Sequence, residues 1–333
     1  MGGKKLSSSF APIFMTVHTD IQQLPAFRNA VVTIGTFDGV HKGHQQILKL
    51  MMDEARKVDG ETVIITFHPH PRQVIAANQT ELFLLNSLEE KKALLEKYGI
   101  DHLVITPFTE AFSLQSAEAY IENFLVKTFH PHSIIIGHDH RFGKSRSGDF
   151  ALLEEKGKEL DYQVKEIPEF MLQENTISST IIRQALQKGN IDAANECLGY
   201  PYFFSGTVIE GNKLGRTIGY PTANLQVTED KKLIPGNGVY AVKVVVNGGY
   251  SSFNSPHSYS GMMNIGIRPT VEGVNRMIEV NIFDFDRDIY GDLLTVHIYK
   301  RLRSEQKFNG LEELKEQLGK DKEMAINLLN ELT

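Results

Sequence analysis

Two histidines three residues apart, His41 and His44, stand in the stretch GTFDGVHKGH, residues 35–44. The stretch has the glycines of a phosphate-binding loop, Gly35 and Gly39, but not the Gly-Lys-Ser/Thr ending of a P-loop. Where a strand gives way to a helix, free backbone N–H groups carry partial positive charge and attract an anion. At a spacing of three, both imidazoles share one face of the first helical turn. Three chemistries fit them. They can donate N–H groups to a phosphate, bind zinc with a third ligand from His68, His70, His138 or His140, or cap the turn. In nucleotidyl transfer, charge builds on the oxygens of the α-phosphate, and fixed donors stabilise it. A P-loop lysine serves the β and γ phosphates instead.

Other stretches carry polar groups where a sheet would end. FHPHP (67–71) contributes His68, Pro69, His70 and Pro71, with its prolines predicting a stiff extended loop. GHDHRFGKSRSGD (137–149) contributes Asp139 and Arg141. It is not a P-loop, because five residues separate Gly137 from Gly143 where that motif has four. TISSTIIR (176–183) sets hydroxyls before a helix start, with Arg183 in its first turn; on composition, Ser179 reads as an N-cap. Further on, GTVIEGNKLGRTIGYPTANL (206–225) is glycine-rich, and Thr222 and Asn224 offer the hard oxygens that Mg²⁺ takes. MNIGIRPT (263–270) reads as turn-rich. In EVNIFDFDRDIYG, alternation sets Glu279, Asn281 and Phe283 on one face and Val280, Ile282 and Asp284 on the other.

Two kinds of element must position these residues. The first half alternates strands, predicted at 31–35, 62–67, 103–106, 133–137 and 163–167, with helices at 45–58, 87–98, 116–129 and 149–160. Such alternation implies an α/β domain with a doubly wound parallel sheet, whose ligands sit at the carboxyl ends of the strands. Ser87 with Glu90 spells a capping box. Short helices follow at 180–188 and 191–198. After residue 203 come β-branched runs at 207–210, 239–246, 279–284 and 294–299, with Asn247-Gly248 as a hairpin signal, which predicts a small antiparallel β-barrel. A terminal helix carries Leu311, Leu314, Leu318, Ala325, Leu328 and Leu332 on one stripe. The expected organisation is an N-terminal extension at 1–16, one domain at 17–186, a linker helix region at 187–202 and a second domain at 203–333. The 333 residues suit two domains, and a net charge of −6 gives no basic field for nucleic acid. A lone cysteine, Cys197, and no membrane-length apolar run fit a cytoplasmic protein with no membrane partner.

The order GTFDGVHKGH, TFHPHPR, GHDHRFGKSRSGD, TISSTIIR resembles the adenylyltransferase half of the prokaryotic bifunctional riboflavin kinase/FAD synthetases. GRTIGYPTAN, NIGIRPT and the Glu279 strand, in that order, resemble the riboflavin kinase module of the same family. Asp139 stands where that family often has asparagine, and His140 where it often has an aromatic residue. The resemblance implies that His41 and His44 stabilise the transferring α-phosphate. It implies that Gly35, Phe37, Asp38 and Gly39 shape the ATP loop, joined by Asp139, Arg141, Ser178, Ser179, Thr180 and Arg183, and that His68, Pro69, His70 and Pro71 meet FMN. In the kinase half it implies an ATP site of Gly211, Lys213, Gly215, Arg216, Gly219, Pro221, Thr222 and Asn224. Thr222 and Asn224 would hold Mg²⁺, and Glu279 would serve as general base. The implied reactions are riboflavin with ATP to FMN, then FMN with ATP to FAD and pyrophosphate, with no zinc. The rival expectations are a nucleotidyltransferase for another phosphate ester with a flavin-sensing barrel, and a non-enzymatic flavin-binding regulator.

Overall fold

A computed structural model describes residues 15–75, 81–137, 140–167, 177–211, 213–248, 258–270 and 273–332. Two compact units emerge. The first comprises the described parts of Met1–Thr36, Gln45–Thr80 and Leu95–Leu172; the second comprises those of Phe37–His44, Glu81–Leu94 and Gln173–Thr333.

The first unit holds a six-stranded parallel sheet. Its strands are β1 (Thr16–His18), β2 (Val31–Ile34), β3 (Thr62–His68), β4 (His102–Pro107), β5 (Ser133–Gly137) and β6 (Gln163–Ile167), in the order β1-β4-β3-β2-β5-β6. β2, β3 and β5 are near-continuous apolar runs because helices cover both faces of such a sheet. Strand order reverses between β2 and β5, so Ile34 and Gly137 end side by side at the switch point. Helix Lys42–Lys57 buries Leu48, Met51 and Ala55 at helical spacing.

Three expectations change here. The helix foreseen at 116–129 contains a seven-residue π-helical stretch, Tyr120–Val126. Tyr120, Ile121, Phe124 and Leu125 of this stretch are all buried in the core of the first unit. FHPHP is not an extended loop. β3 runs to His68, the His68–Pro69 peptide is cis, and a short helix, Pro71–Ile75, starts with proline in its first position. β1 was not anticipated and pairs with β4 at the sheet edge.

The second unit contains a closed antiparallel barrel. Its strands are β7 (Tyr202–Ile209), β8 (Ala223–Gln226), β9 (Gly238–Val246), β10 (Tyr259–Thr270), β11 (Gly273–Ile282) and β12 (Leu293–Arg303), in the order β10-β11-β8-β7-β12-β9. Three of these strands depart from the sequence reading. MNIGIRPT lies within β10 and is not a turn. The GYPTANL stretch yields the short strand β8. The run expected to reach Asp284 ends at Ile282, and Asp284 takes a left-handed φ of 52°. Asn247 takes a left-handed φ of 50° after β9, but the connection to β10 is longer than the two-residue hairpin its dipeptide signals, and residues 249–257 of it lie outside the described residues.

Helix Leu311–Glu331 packs on the barrel through Leu318, Ala325 and Leu328 of the expected stripe, but the stripe does not extend to its ends. Leu311 and Leu332 are exposed, while Asp321, Ala325 and Leu329 are buried four residues apart. Asp321 takes a bidentate fork from Arg303 at the end of β12, at 2.8–3.0 Å, and Gln317 donates to it at 2.9 Å. A carboxylate fully out of water needs such partners.

Candidate active sites

The first site is built around Phe37–His44, described here within the second unit. Phe37 and Val40 have positive φ values of 47° and 37°, and Gly39 has 92°. A Cβ on Gly39 would stand 2.7 Å from Leu85 Cδ1, so both conformation and space require glycine there. Residues held this way persist only where their surroundings over-determine them. The buried Asp38 carboxylate accepts from the backbone N–H groups of Leu85 (2.9 Å) and Asn86 (3.3 Å), and it pairs with Arg183. Ser179 Oγ donates to the Asp38 carbonyl at 2.8 Å, and the Tyr200 hydroxyl donates to the Gly39 carbonyl.

His41 and His44 lie ring on ring, with centroids 3.7 Å apart and planes 16° apart, and Phe37 packs on His44 at 4.9 Å. His41 Nδ1 accepts the His44 backbone N–H at 3.4 Å. The capping contact foreseen in the sequence is thus present, and it does not exclude the phosphate-donor role. An Nδ1 used as acceptor places the proton of a neutral imidazole on Nε2, which is then the donor. Burial pushes His41 down to about 4, with Arg183 adding and Asp38 opposing; burial, His41 and Lys91 push His44 well below its ordinary value. At neutral pH both rings are uncharged donors. Among the described residues, no group of three or more His, Cys, Asp or Glu side chains is gathered to hold a metal ion.

The depressed values set a pH window. Between pH 6.5 and about 4 the unfolded His41 binds a proton that the folded one refuses, so stability falls as pH drops through that window. For His41 this is worth about 3 kcal/mol at most. Thermal melts from pH 7 to 4 should show a smaller loss of Tm for His41→Gln than for the native chain. Equal losses would show that His41 titrates normally.

Other anticipated residues are placed as follows. Gly35 follows β2, and its N–H donates to the Ile65 carbonyl at 3.0 Å. Ser178, not Ser179, caps helix Ser179–Gln187, accepting from Ile181, because Ser179 is turned to Asp38. Thr180 is exposed. Arg183 is turned inward, donating also to the Phe83 carbonyl at 2.8 Å. Arg141 pairs with Asp149 at 2.6 Å on the surface. Asp139 lies outside the described residues. His68 is exposed at the end of β3; His70 is buried, and its Nδ1 accepts from Arg72 N at 3.1 Å. Neither Asn86, whose side-chain amide is buried with no hydrogen-bond partner among the described residues, nor Lys91, which burial lowers to about 8, was anticipated. Neither carries a local sequence signal, since their burial follows from the fold around them.

The second site is a cavity of about 250 Å³ at the barrel, with Lys213, Thr222, Asn264, Glu279, Asn281 and Phe308 in its wall. Its polar side follows from strand register. Glu279 on β11 pairs with Asn264 on β10 and with Asn224 on β8, so three polar side chains meet across neighbouring strands. The alternation on β11 placed Glu279 and Asn281 together, and Asn281 also donates to the Pro221 carbonyl at 2.7 Å. Asn264 was missed, since only pairing reveals it. Gly215 joins the lining, whereas Gly211, Arg216, Gly219, Pro221 and Asn224 do not. Gly211 packs on Asn224 so closely that a Cβ would sit 2.0 Å from Nδ2. Asn224 Oδ1 is buried and has no hydrogen-bond partner among the described residues. That orphaned oxygen, two residues from the Thr222 hydroxyl, fits a hard cation. Leu314 and Leu318 of the terminal helix complete the wall.

Comparison with known proteins gives one match for each site. The family described as FAD synthetase matches residues 24–181, and that described as riboflavin kinase matches 198–329. Bifunctional riboflavin kinase/FMN adenylyltransferase of Bacillus subtilis is 38% identical, covering 91% of this chain and 93% of its own. The protein of the same name from Listeria monocytogenes is 40% identical, over 89% and 91%. A Streptococcus pneumoniae crystal structure named as a macrolide-efflux protein superposes with a TM-score of 0.82 at 32% identity, over 95% of this chain and 99% of that one. In this chain, no helix among the described residues is long and apolar enough to cross a membrane.

Proposed function

The chain belongs to the bifunctional riboflavin kinase/FMN adenylyltransferase family, and from that premise we propose how its residues divide the two reactions. It is an enzyme of FAD biosynthesis: riboflavin becomes FMN, and FMN becomes FAD. Residues 17–186 carry adenylyl transfer and 203–333 carry the kinase, with ATP as the donor in both and the cytoplasm as the setting. The observation behind this division is that His41 and His44 fall in the segment matched to FAD synthetase, and Thr222 and Glu279 in the segment matched to riboflavin kinase.

In adenylyl transfer the FMN phosphate attacks the α-phosphorus of ATP. Neutral N–H donors on His41 and His44 stabilise the charge gathering on the α-phosphate oxygens, and pyrophosphate leaves. No proton has to move, which agrees with rings whose proton affinity is held low. Gly35, Phe37 and Gly39 shape the backbone around the phosphates. Asp38 and Arg183 hold the loop from behind. Ser178, Ser179 and Thr180 stand at the start of helix Ser179–Gln187, where N–H groups favour phosphate. Arg141 and Asp139 serve ATP, and the 68–71 segment serves FMN.

In the kinase, Glu279 accepts the proton of the ribityl 5′-hydroxyl as that oxygen attacks the γ-phosphorus. Thr222 and Asn224 would hold Mg²⁺ through their oxygens, a role supported by the orphaned Asn224 Oδ1. When bound, the ion supplies charge neutralisation on the ATP phosphates. Lys213 and Gly215 contribute to the phosphate side of the cavity, and Gly211, Arg216, Gly219 and Pro221 set the turns of the loop.

Incubation of the purified chain with riboflavin, ATP and Mg²⁺, followed by chromatography, should show FMN rising first, then FAD. Pyrophosphate should accompany FAD only. Absence of either flavin product would overturn the assignment of the corresponding site.

A further inference from the structure

We propose that Lys232, contributed by the kinase segment, is a positioning residue for adenylyl transfer, holding the Leu85–Asn86 peptide that in turn holds the His41 loop. This rests on the assignment of His41 and His44 to that reaction.

Lys232 lies between β8 and β9, within the stretch matched to riboflavin kinase. It is 5% exposed, and its three ammonium protons all have partners. Nζ donates to Glu90 Oε2 at 2.5 Å, to the Leu85 carbonyl at 2.6 Å and to the Phe203 carbonyl at 2.8 Å. The ammonium also stands 4.6 Å from the Tyr202 ring centroid. A lysine buried and satisfied on every side is costly to build, and it is not a surface charge folded inward by chance. The backbone adds to it: Leu84 accepts from Leu233 at 2.9 Å and donates to Lys231 at 2.7 Å.

Three short links then run from Lys232 to His41, the middle one braced from the side. The Leu85 carbonyl is held by Lys232. The N–H groups of Leu85 and Asn86 are held by Asp38 Oδ1. Asp38 is fixed on its other side by Arg183 and Ser179. Three residues beyond Asp38 is His41, in a loop whose left-handed residues need external support. All these residues belong to the second compact unit. Glu90 has a further duty, since it closes the capping box by accepting from Ser87 N at 2.9 Å while Ser87 Oγ accepts from Glu90 N at 3.1 Å. Lys232 thus fixes both the start of helix Leu88–Lys97 and the peptide before it. Nothing in this set lines the barrel cavity.

The test uses the full chain and both of its reactions. Lys232→Met removes the three donors while keeping the stem. It leaves Glu90 as an unpaired buried carboxylate, so Lys232→Met with Glu90→Gln is made alongside: the amide oxygen keeps the capping box and the charge is gone. The expected result for the double variant is a Tm near that of the native chain and unchanged FMN formation from riboflavin. For FAD formation from supplied FMN, kcat should fall about 10²-fold, the scale of a small misplacement of reacting groups, with KM for ATP little changed. Recovery of FAD formation together with Tm would overturn the proposal, because Lys232 would then only stabilise. So would loss of both activities in both variants, or no loss of either. If the native chain itself makes no FAD from FMN, the fault lies in the adenylyltransferase assignment and not in Lys232.

Discussion

With His41 and His44 both changed to alanine, FAD formation from supplied FMN should fall at least about 10³-fold, while FMN formation from riboflavin continues. Loss of one donor to a developing oxyanion costs about 10²–10³ in kcat. Two donors on one phosphate act as a unit, so the pair will cost less than the product of the singles. The stacked geometry sharpens the expectation. His41 spends Nδ1 on the His44 backbone and keeps Nε2–H for substrate, so His41→Asn, which is too short to do both, should lose most of what alanine loses. Because the interaction strengthens only as charge develops, the loss belongs in kcat, with KM for ATP moving little. Steady-state rates of pyrophosphate release with FMN and ATP decide it; a double variant within tenfold of the native rate would remove the histidines from the chemistry.

Glu279→Gln should have the opposite profile. FMN formation falls about 10²–10⁴-fold, the usual worth of a positioned base, and FAD formation from supplied FMN is kept. Glutamine retains the shape of the side chain in the row Asn224–Glu279–Asn264, so riboflavin should still bind and its KM should hold. A variant that raises KM alone would mean that Glu279 only binds the ribityl chain. Paired assays on one preparation read both activities, each serving as the folding control for the other.

The sequence exposed what depends on neighbours in the chain. The apolar runs of β2, β3 and β5, the capping box at Ser87 and Glu90, and the alternation from Glu279 to Ile282 are local patterns that appear where expected. The barrel was legible as a class, though the boundaries of β8, β10 and β11 were not. Glycine and proline signal turns but also allow close packing of a loop on a strand, as Gly211 does against Asn224. What stayed hidden depends on distant pairing. Asn264 becomes part of the second site only through register with Glu279. Asp321 sits on what looked like a plain leucine-striped helix because its partner, Arg303, is 18 residues away. The π-helical turn at Tyr120–Val126 answers to the aromatic packing around it, with Phe112 and Phe142 against its rings.

Helix Leu311–Glu331 lends Leu314 and Leu318 to the cavity wall, while Ala325 and Leu329 dock it on the barrel. Binding and docking are therefore linked by reciprocity. Whatever occupies the cavity gains contacts only while the first turns of the helix are seated, so occupancy lowers the frequency of fraying by the same free energy that fraying subtracts from affinity. The terminal helix is then a component of the affinity constant, and the length of time a ligand stays in the cavity is in part the length of time those two leucines stay in place.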